Sequence, residues 1–264
     1  MLFFILLLIA LILFLIAPAC GKRRAEHIRG AKYAHRGLHN AQVSENSLAA
    51  FERACQTGYG IELDVQLSRD GHVVVFHDDD LRRMTGDFRR VDEVDLAELQ
   101  SLPLPDGSRI PAFAEVLACV AGRVPLLVEI KNGRRNPELC KKVMAHLRAY
   151  AGEYVIESFN PLILLWLRRN APDVVRGQLV SPLSGYRKSH IGLAQAFALS
   201  TLLLNFLSRP DFVAYDVSAL HFLAPRIQRT LFRTPMAAWT VRAPSTPIPS
   251  RDALIFEVGT ADSE

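Results

Sequence analysis

Two carboxylates, Glu62 and Asp64, stand two residues apart in the strand-like run Ile61–Leu67. Because successive side chains of a β-strand point to opposite faces, both carboxylates are expected on one face and the apolar residues on the other. Two like charges repel unless a cation or a proton lies between them. Hard oxygen ligands at this spacing suit Mg²⁺ or Ca²⁺. A polar strand face in contact with water is the alternative interpretation.

Glu129 and Lys131 repeat this spacing at the end of the apolar run Leu126–Ile130. In parallel α/β barrels, catalytic residues collect at the carboxyl ends of the strands. We therefore expect Glu129 to complete a metal site and Lys131 to lie near a substrate phosphate. A plain Glu–Lys ion pair is the alternative.

Two histidines also end strand-like runs, His35 before Gly37 and His77 before Asp78. Histidine exchanges protons near neutral pH, so two imidazoles on opposite sides of a phosphodiester can serve as base and acid. Arg36 offers a planar fork of donors suited to phosphate oxygens. A single histidine at a strand end is more often structural, and only its convergence with the acidic residues favours catalysis.

The elements that must position these residues alternate between short β-rich runs and amphipathic segments, which favours βα units and a parallel sheet. The predicted strands are Lys32–His35, Ile61–Leu67, Val73–Phe76, Leu126–Ile130, Tyr154–Ser158, Val175–Val180, Phe212–Val217, Met236–Val241 and Ala253–Glu257. The predicted helices are Ser47–Thr57, Asp95–Ser101, Ala112–Ala121, Pro137–Ala151, Pro161–Asn170, Ile191–Leu207 and a short turn at His221–Gln228.

Nine strands are one too many for an eight-stranded barrel, and the connection around Asp70-Gly71 explains the surplus. Five residues are too few for a parallel crossover, whereas Asp-Gly between apolar runs is typical of a hairpin. The run Val73–Phe76 should fold back antiparallel and bring His77 roughly opposite Asp64. The polar stretch after it, about residues 79–110, is predicted to be an insertion over the barrel mouth.

The segment Leu2–Ala19 is an unbroken apolar run, which as one helix would reach roughly 27 Å. Residues 1–20 are therefore predicted to be a transmembrane anchor, with residues 21–30 a basic juxtamembrane linker and residues 31–264 the catalytic domain. The basic residues that follow the run place that domain on the cytoplasmic side of the cell membrane. A cleaved leader and a lipoprotein site at Cys20 are the alternatives, and both expect basic residues before the run.

Composition narrows the class of function. The chain has 264 residues, a net charge of +4 and 50% hydrophobic residues, which suits one large domain. No basic face alternates with aromatic residues, so nucleic-acid binding is disfavoured, and no protein partner can be inferred. None of the four cysteines has zinc-ligand spacing, and Cys55, Cys119 and Cys140 are interpreted as reduced packing residues.

The ordered set of motifs resembles the glycerophosphodiester phosphodiesterases from residue 31 to residue 257. The motifs that carry the resemblance are Ala34-His35-Arg36-Gly37, Glu45-Asn46-Ser47, Glu62-Leu63-Asp64-Val65, Val75-Phe76-His77-Asp78, Val128-Glu129-Ile130-Lys131, Glu157-Ser158-Phe159-Asn160-Pro161, Arg176-Gly177-Gln178-Leu179, Ala214-Tyr215-Asp216-Val217 and Trp239-Thr240-Val241.

The resemblance implies an α/β fold, an irregular TIM (β/α)8 barrel with a small insertion, which hydrolyses glycerophosphodiesters to sn-glycerol 3-phosphate and an alcohol. It implies one divalent cation, Mg²⁺ or Ca²⁺, on Glu62, Asp64 and Glu129. By the same resemblance, His35 and His77 are the general base and acid. The phosphate-binding residues are then Arg36 and Lys131, and Trp239 lines the glycerol pocket.

Two places depart from the family pattern: Arg242 stands where Asn is common, and Ile255-Phe256-Glu257 replaces the usual final motif with Thr-Asp. Two other functions remain open. A lysophospholipase D or phospholipase C-type hydrolase would act on lysolipids or membrane lipids, and a non-catalytic membrane module would only bind phosphate-containing ligands. The paired carboxylates argue against the second, because burying unpaired charge is costly.

Overall fold

A computed structural model describes residues 1–19, 24–187 and 191–257 of the chain. Cys20, the last residue of the predicted anchor, and Lys22 and Arg23 of the predicted basic linker lie outside the described residues. The chain divides into two compact units. The first unit comprises Met1–Ala31, Glu157–Trp239 and Pro247–Leu254, and the second comprises Lys32–Ile156, Thr240–Thr246 and Ile255–Glu264.

The predicted strands all occur, with ends that differ by at most one residue. They are β1 Lys32–Ala34, β2 Gly60–Leu67, β3 Val73–Val75, β4 Leu126–Ile130, β5 Tyr154–Ser158, β6 Arg176–Val180, β7 Phe212–Asp216, β8 Met236–Val241 and β9 Ala253–Phe256. The described α-helices are α1 Leu2–Ile16, α2 Leu48–Thr57, α3 Arg82–Thr85, α4 Leu96–Leu99, α5 Phe113–Val120, α6 Asn136–Arg148, α7 Pro161–Asn170, α8 Leu183–Arg187, α9 Leu193–Ser200, α10 Asn205–Ser208 and α11 Leu223–Ile227.

In the second unit, β2 is the central strand, with β1 and β4 parallel to it and β3 antiparallel. The predicted hairpin is therefore confirmed. Its register differs by one residue from the prediction, because the N–H of Phe76, and not that of His77, donates to the carbonyl of Asp64 at 3.0 Å.

Both faces of β2 are buried. The apolar face, with Ile61, Leu63 and Val65 fully buried, packs into the core as expected. Glu62 and Asp64 on the opposite face are only 2% and 1% exposed. The alternative of a polar face in contact with water is therefore wrong for this strand.

The insertion has a hydrophobic cluster of its own. Its buried members come from β3 and from the segment between residues 76 and 110: Val74, Phe76, Leu81, Val91, Val94, Leu99, Leu104 and Ile110. Removing these side chains from water stabilises the segment although it holds only one-turn helices. The insertion is therefore an ordered, packed part of the second unit.

In the first unit, β6, β7 and β8 are parallel neighbours. The predicted single helix Ile191–Leu207 is wrong in one respect, because α9 ends at Ser200 and α10 begins at Asn205. Between them Leu202 has a φ of 61°. This left-handed conformation cannot continue a right-handed helix.

The N-terminal helix α1 is shorter than the apolar run that forms it. The helix ends at Ile16 because Ala17, which precedes Pro18, is extended with a ψ of 137°, and a residue before proline is disfavoured in the helical region. Its 15 residues span about 22 Å, less than the roughly 30 Å of a bilayer core.

Within the described residues, no helix has the length and apolar character needed to cross a membrane. The predicted transmembrane anchor, and with it membrane anchoring by the N-terminal helix, is therefore not supported. The cytoplasmic location inferred from that anchor stays a prediction.

Candidate active site

Three buried carboxylates meet on β2 and β4 in the second unit. The parallel register of these strands pairs Asp64 with Glu129, and Glu62 lies two residues before Asp64 on the same face. One oxygen of each carboxylate lies within 4.8 Å of the other two. The predicted convergence of these residues is thus observed, since two neighbouring parallel strands bring matched positions side by side.

Burial and neighbouring charges shift the pKa values of the carboxylates in this cluster. Burial raises the pKa of Glu129, and the nearby Asp64 carboxylate raises it further. Burial acts in the same direction on Asp64, but Lys131, His77 and Arg36 hold its pKa well below the usual range. Asp64 Oδ1 is buried and accepts no hydrogen bond from the residues that the structure describes. Three converging carboxylates, one of them with a buried oxygen that accepts no hydrogen bond within the described part of the chain, fit a divalent cation.

Lys131 is in contact with this cluster. Its Nζ lies 3.0 Å from Glu129 Oε1 and 3.4 Å from Asp64 Oδ1, and its side chain is 14% exposed. Burial alone lowers the pKa of Lys131, but these two carboxylates outweigh it and raise the pKa above the ordinary value. The Glu129–Lys131 ion pair considered from sequence is therefore present.

His35 follows β1 and stands at one side of the cluster. Its Nε2 lies 3.9 Å from Glu62 Oε2, and its Nδ1 lies 2.7 Å from Glu257 Oε1. Burial lowers the pKa of His35, opposed by the hydrogen bond to Glu257. A lowered pKa keeps the ring neutral at pH 7, which is the form that accepts a proton.

Arg36 and Gly37 both have positive φ, 55° and 80°. This turn directs the backbone N–H of Arg36 to Glu62 Oε2 at 2.9 Å. A Cβ on Gly37 would lie 2.9 Å from Ala50 Cβ, so the position requires glycine. The Arg36 guanidinium donates to Glu45 at 2.7 Å, and its Nε lies 3.6 Å from Asp64 Oδ2.

His77 is held by a chain of charged residues that ends in the insertion. Its Nδ1 lies 2.6 Å from Asp78 Oδ1, and Arg83 Nε donates to Asp78 Oδ2 at 2.6 Å. Arg83 also donates to both oxygens of Glu45, at 2.9 and 2.6 Å. Gln66 fixes the loop by donating from Nε2 to the carbonyl of Asp78 at 2.8 Å.

Several contacts were not predicted from sequence. Asn46 donates from Nδ2 to Asp64 Oδ2 at 2.9 Å, and Ser47 caps α2. Glu45 accepts a hydrogen bond from the Arg36 guanidinium. The contacts of Arg83 with Asp78 and of Glu257 with His35 were also not predicted. The only sequence signals were the Glu45-Asn46-Ser47 motif and the departure at Glu257.

Trp239 belongs to the first unit, on β8. Its ring packs edge-on against Phe159, with centroids 5.5 Å apart. Its buried Nε1 has no hydrogen-bond partner within the described residues. Its predicted place in a glycerol pocket stays a prediction.

Comparisons with known proteins agree with this geometry. The model of the Glycerophosphoryl diester phosphodiesterase family matches residues 35–255. A glycerophosphodiester phosphodiesterase of Caldanaerobacter subterraneus subsp. tengcongensis is 37% identical over 158 residues, which cover 55% of this chain and 65% of that protein. One from Bacillus altitudinis is 35% identical over 155 residues, 54% of this chain and 63% of its own length. The matched segment thus spans less than two thirds of these relatives.

Solved structures extend the likeness to most of the chain. A glycerophosphodiester phosphodiesterase from Thermotoga maritima is 25% identical with a TM-score of 0.67, covering 85% of this chain and 93% of its own. A phosphodiesterase from Oleispira antarctica, solved in complex with the product sn-glycerol-3-phosphate, is 23% identical with a TM-score of 0.68, covering 86% and 92%. The predicted fold class, an eight-stranded parallel α/β barrel of the TIM type, is confirmed.

Proposed function

Because this chain belongs to the glycerophosphoryl diester phosphodiesterase family, we propose that it hydrolyses glycerophosphodiesters to sn-glycerol 3-phosphate and an alcohol. The observation that carries the proposal is the buried cluster of Glu62, Asp64 and Glu129. Burying three carboxylates in one place costs free energy unless a cation offsets their charge. A cation-dependent reaction on an anionic substrate explains why the protein keeps them there.

Glu62, Asp64 and Glu129 would hold one divalent cation, Mg²⁺ or Ca²⁺, since carboxylate oxygens are the ligands that both ions prefer. When bound, the cation supplies positive charge that stabilises the phosphate oxygens in the transition state. Asn46 orients Asp64 through the bond to Oδ2. Arg36 and Lys131 bind substrate phosphate oxygens from positions beside the cluster.

The two imidazoles perform the proton transfers. His35, kept neutral by burial, removes the proton of the attacking oxygen through Nε2, and His77 protonates the departing alkoxide. His77 is 31% exposed, so it can regain a proton from solvent between turnovers. The family resemblance alone supports a role for Trp239 in binding the glycerol moiety, for which its ring offers an apolar face and an indole N–H.

The test is an assay of the full chain for release of sn-glycerol 3-phosphate from glycerophosphocholine. We expect no activity after treatment with a chelator and recovery on titration with Mg²⁺ or Ca²⁺. His35→Ala and His77→Ala should each lower kcat by about 10² to 10⁴. Turnover that does not depend on metal would contradict the proposed metal site. Wild-type rates in either variant would contradict the proposed role of that histidine.

A parallel assay with lysophosphatidylcholine separates the two substrate classes. The proposal expects a higher kcat/KM on glycerophosphocholine. A preference for the lysolipid would replace it with a lysophospholipase D reaction. Binding of the diester without turnover at any metal concentration would instead favour a phosphate-binding module.

A further inference from the structure

Arg242 and Glu257, which stand at departures from the family pattern, contact each other, and Glu257 also contacts His35. Arg242 Nε donates to Glu257 Oε2 at 2.7 Å, and the other oxygen of Glu257 lies 2.7 Å from His35 Nδ1. All three residues belong to the second unit. Arg242, Glu257 and His35 are therefore linked in one chain of side-chain contacts.

The backbone fixes this arrangement. The N–H of Glu257 donates to the carbonyl of Val241 at 3.0 Å, and the N–H of His35 donates to the carbonyl of Phe256 at 2.9 Å. The ends of three strands are thus joined by main-chain hydrogen bonds. The carboxylate is presented to the imidazole from a rigid position and not from a free loop.

The other imidazole has the same kind of support. His77 Nδ1 contacts Asp78, and Asp78 accepts from Arg83. Each histidine of the site thus meets a carboxylate at Nδ1, and each carboxylate is held by an arginine. The support of His77 is local in sequence and reaches into the insertion, whereas His35 and Glu257 are 222 residues apart.

We propose that Glu257 and Arg242 are positioning residues for His35, which they hold in the tautomer that carries its proton on Nδ1. This inference rests on the proposed function of His35 as the general base. A carboxylate that is ionised can only accept hydrogen bonds, so the ring must donate from Nδ1. The lone pair is then on Nε2, the nitrogen that faces Glu62 and the reacting groups.

His35 and Arg242 together keep Glu257 in the ionised form. Burial raises the pKa of Glu257, but the bonds from His35 and Arg242 lower it to about 2. The Arg242 side chain is 67% exposed. Its ion pair with Glu257 therefore adds little free energy, as for other exposed ion pairs, and mainly orients the Glu257 carboxylate.

The first experiment measures kcat and KM on glycerophosphocholine with saturating metal. Glu257→Ala should lower kcat about 10- to 100-fold, as loss of the outer partner of a functional imidazole does. The KM should change little, because Arg36 and Lys131 are untouched. Glu257→Gln, whose amide oxygen still accepts from Nδ1–H, should retain more activity than Glu257→Ala.

Arg242→Ala should give a smaller loss than Glu257→Ala, and Arg123→Ala is its matched control. Arg123 is an exposed arginine paired with Glu52 in the same unit, so its removal should leave kcat unchanged. A double-mutant cycle separates positioning from general damage. In a His35→Ala background, measured at high enzyme concentration, Glu257→Ala should cause no further loss.

The second experiment needs no turnover. Side-chain ¹⁵N spectra of the neutral histidines should show His35 with its proton on Nδ1 in the wild type and a tautomer mixture in Glu257→Ala. If the wild type hydrolyses no diester, the proposed function fails, while the spectra still decide the tautomer.

Three results would overturn the inference. These are an Nε2–H tautomer of His35 in the wild type, wild-type kcat in Glu257→Ala, and an equal loss from Glu257→Ala with and without His35.

Discussion

Asp64 has the densest set of partners in the site. Its carboxylate receives the Asn46 amide and lies near Arg36 and Lys131. Glu129, paired across the strands with Asp64, has a raised pKa in the same cluster. Neighbouring carboxylates whose pKa values are pushed apart are typical of sites that bind a cation or share a proton.

Removing one of these carboxylates should weaken metal binding without unfolding the chain. Glu129→Gln keeps the shape of the side chain but removes its charge, so Mg²⁺ should bind about 10- to 100-fold more weakly. The Mg²⁺-induced rise in the melting temperature should shrink accordingly, because a ligand of the folded state at free concentration L stabilises it by RT ln(1 + L/Kd), which falls as Kd rises. Calorimetric titration and thermal unfolding measure both effects. Glu153→Gln, an exposed glutamate, is the control, and equal Mg²⁺ affinity in the two variants would contradict the assignment.

At the scale of elements, the insertion braces the loop that leads to Asn46. Arg83 in α3 binds Glu45, and Asp106 near the far end of the insertion accepts from the N–H of Ser44 at 2.8 Å. Two consecutive residues of that loop are thus held by two ends of one segment. The insertion was predicted from its length and polarity as functional, and these contacts give it a structural role in the site.

Arg83→Ala should therefore affect catalysis although the residue is 47% exposed. The substitution removes the hydrogen bonds from Arg83 to Asp78 and to Glu45 together. We therefore expect kcat to fall about tenfold, with the melting temperature nearly unchanged. The neighbouring Arg82, stacked on Phe88 with 4.9 Å to the ring centroid, is the matched control. Steady-state kinetics of both alanine variants tests this, and equal activities would show that the brace has no catalytic effect.

Asp106 should contribute stability that depends on pH. Burial raises its pKa, but hydrogen bonds from Ser108 and Ser44 lower it to about 2. A group with a depressed folded-state pKa stabilises above its unfolded pKa of about 3.9, and this stability is lost as the pH falls towards 2. Asp106→Asn should therefore melt below the wild type at pH 7, with a difference that shrinks between pH 5 and pH 2. A difference that is constant with pH would disprove the linkage.

At the scale of the whole molecule, α1 leaves most of its large apolar side chains exposed, from Leu2 at 69% to Phe14 at 56%. Its C-terminal end is held within the first unit, where Gln228 donates to the carbonyl of Ile16 at 2.7 Å and Arg209 to that of Phe14 at 2.9 Å. An exposed apolar surface of this kind favours association.

Removal of residues 1–13 should reduce self-association and leave kcat/KM on glycerophosphocholine within about twofold of the full chain. Phe14 and Ile16, which carry the contacts to Arg209 and Gln228, are retained, and the carboxylates and histidines lie in the second unit. Light scattering without detergent measures association, and the standard assay measures activity. Persistent association, or loss of activity on truncation, would contradict the expectation.

The sequence by itself determined the strands, the hairpin and the placement of Glu62 and Asp64 on one face, because these depend on periodicity and turn residues close together in the chain. It also indicated the convergence with Glu129, since parallel neighbouring strands align their ends. Only the tertiary structure decided that Arg83 braces Glu45 and that Glu257 meets His35. These contacts join residues far apart in sequence, and no local pattern encodes which distant carboxylate reaches a given imidazole nitrogen.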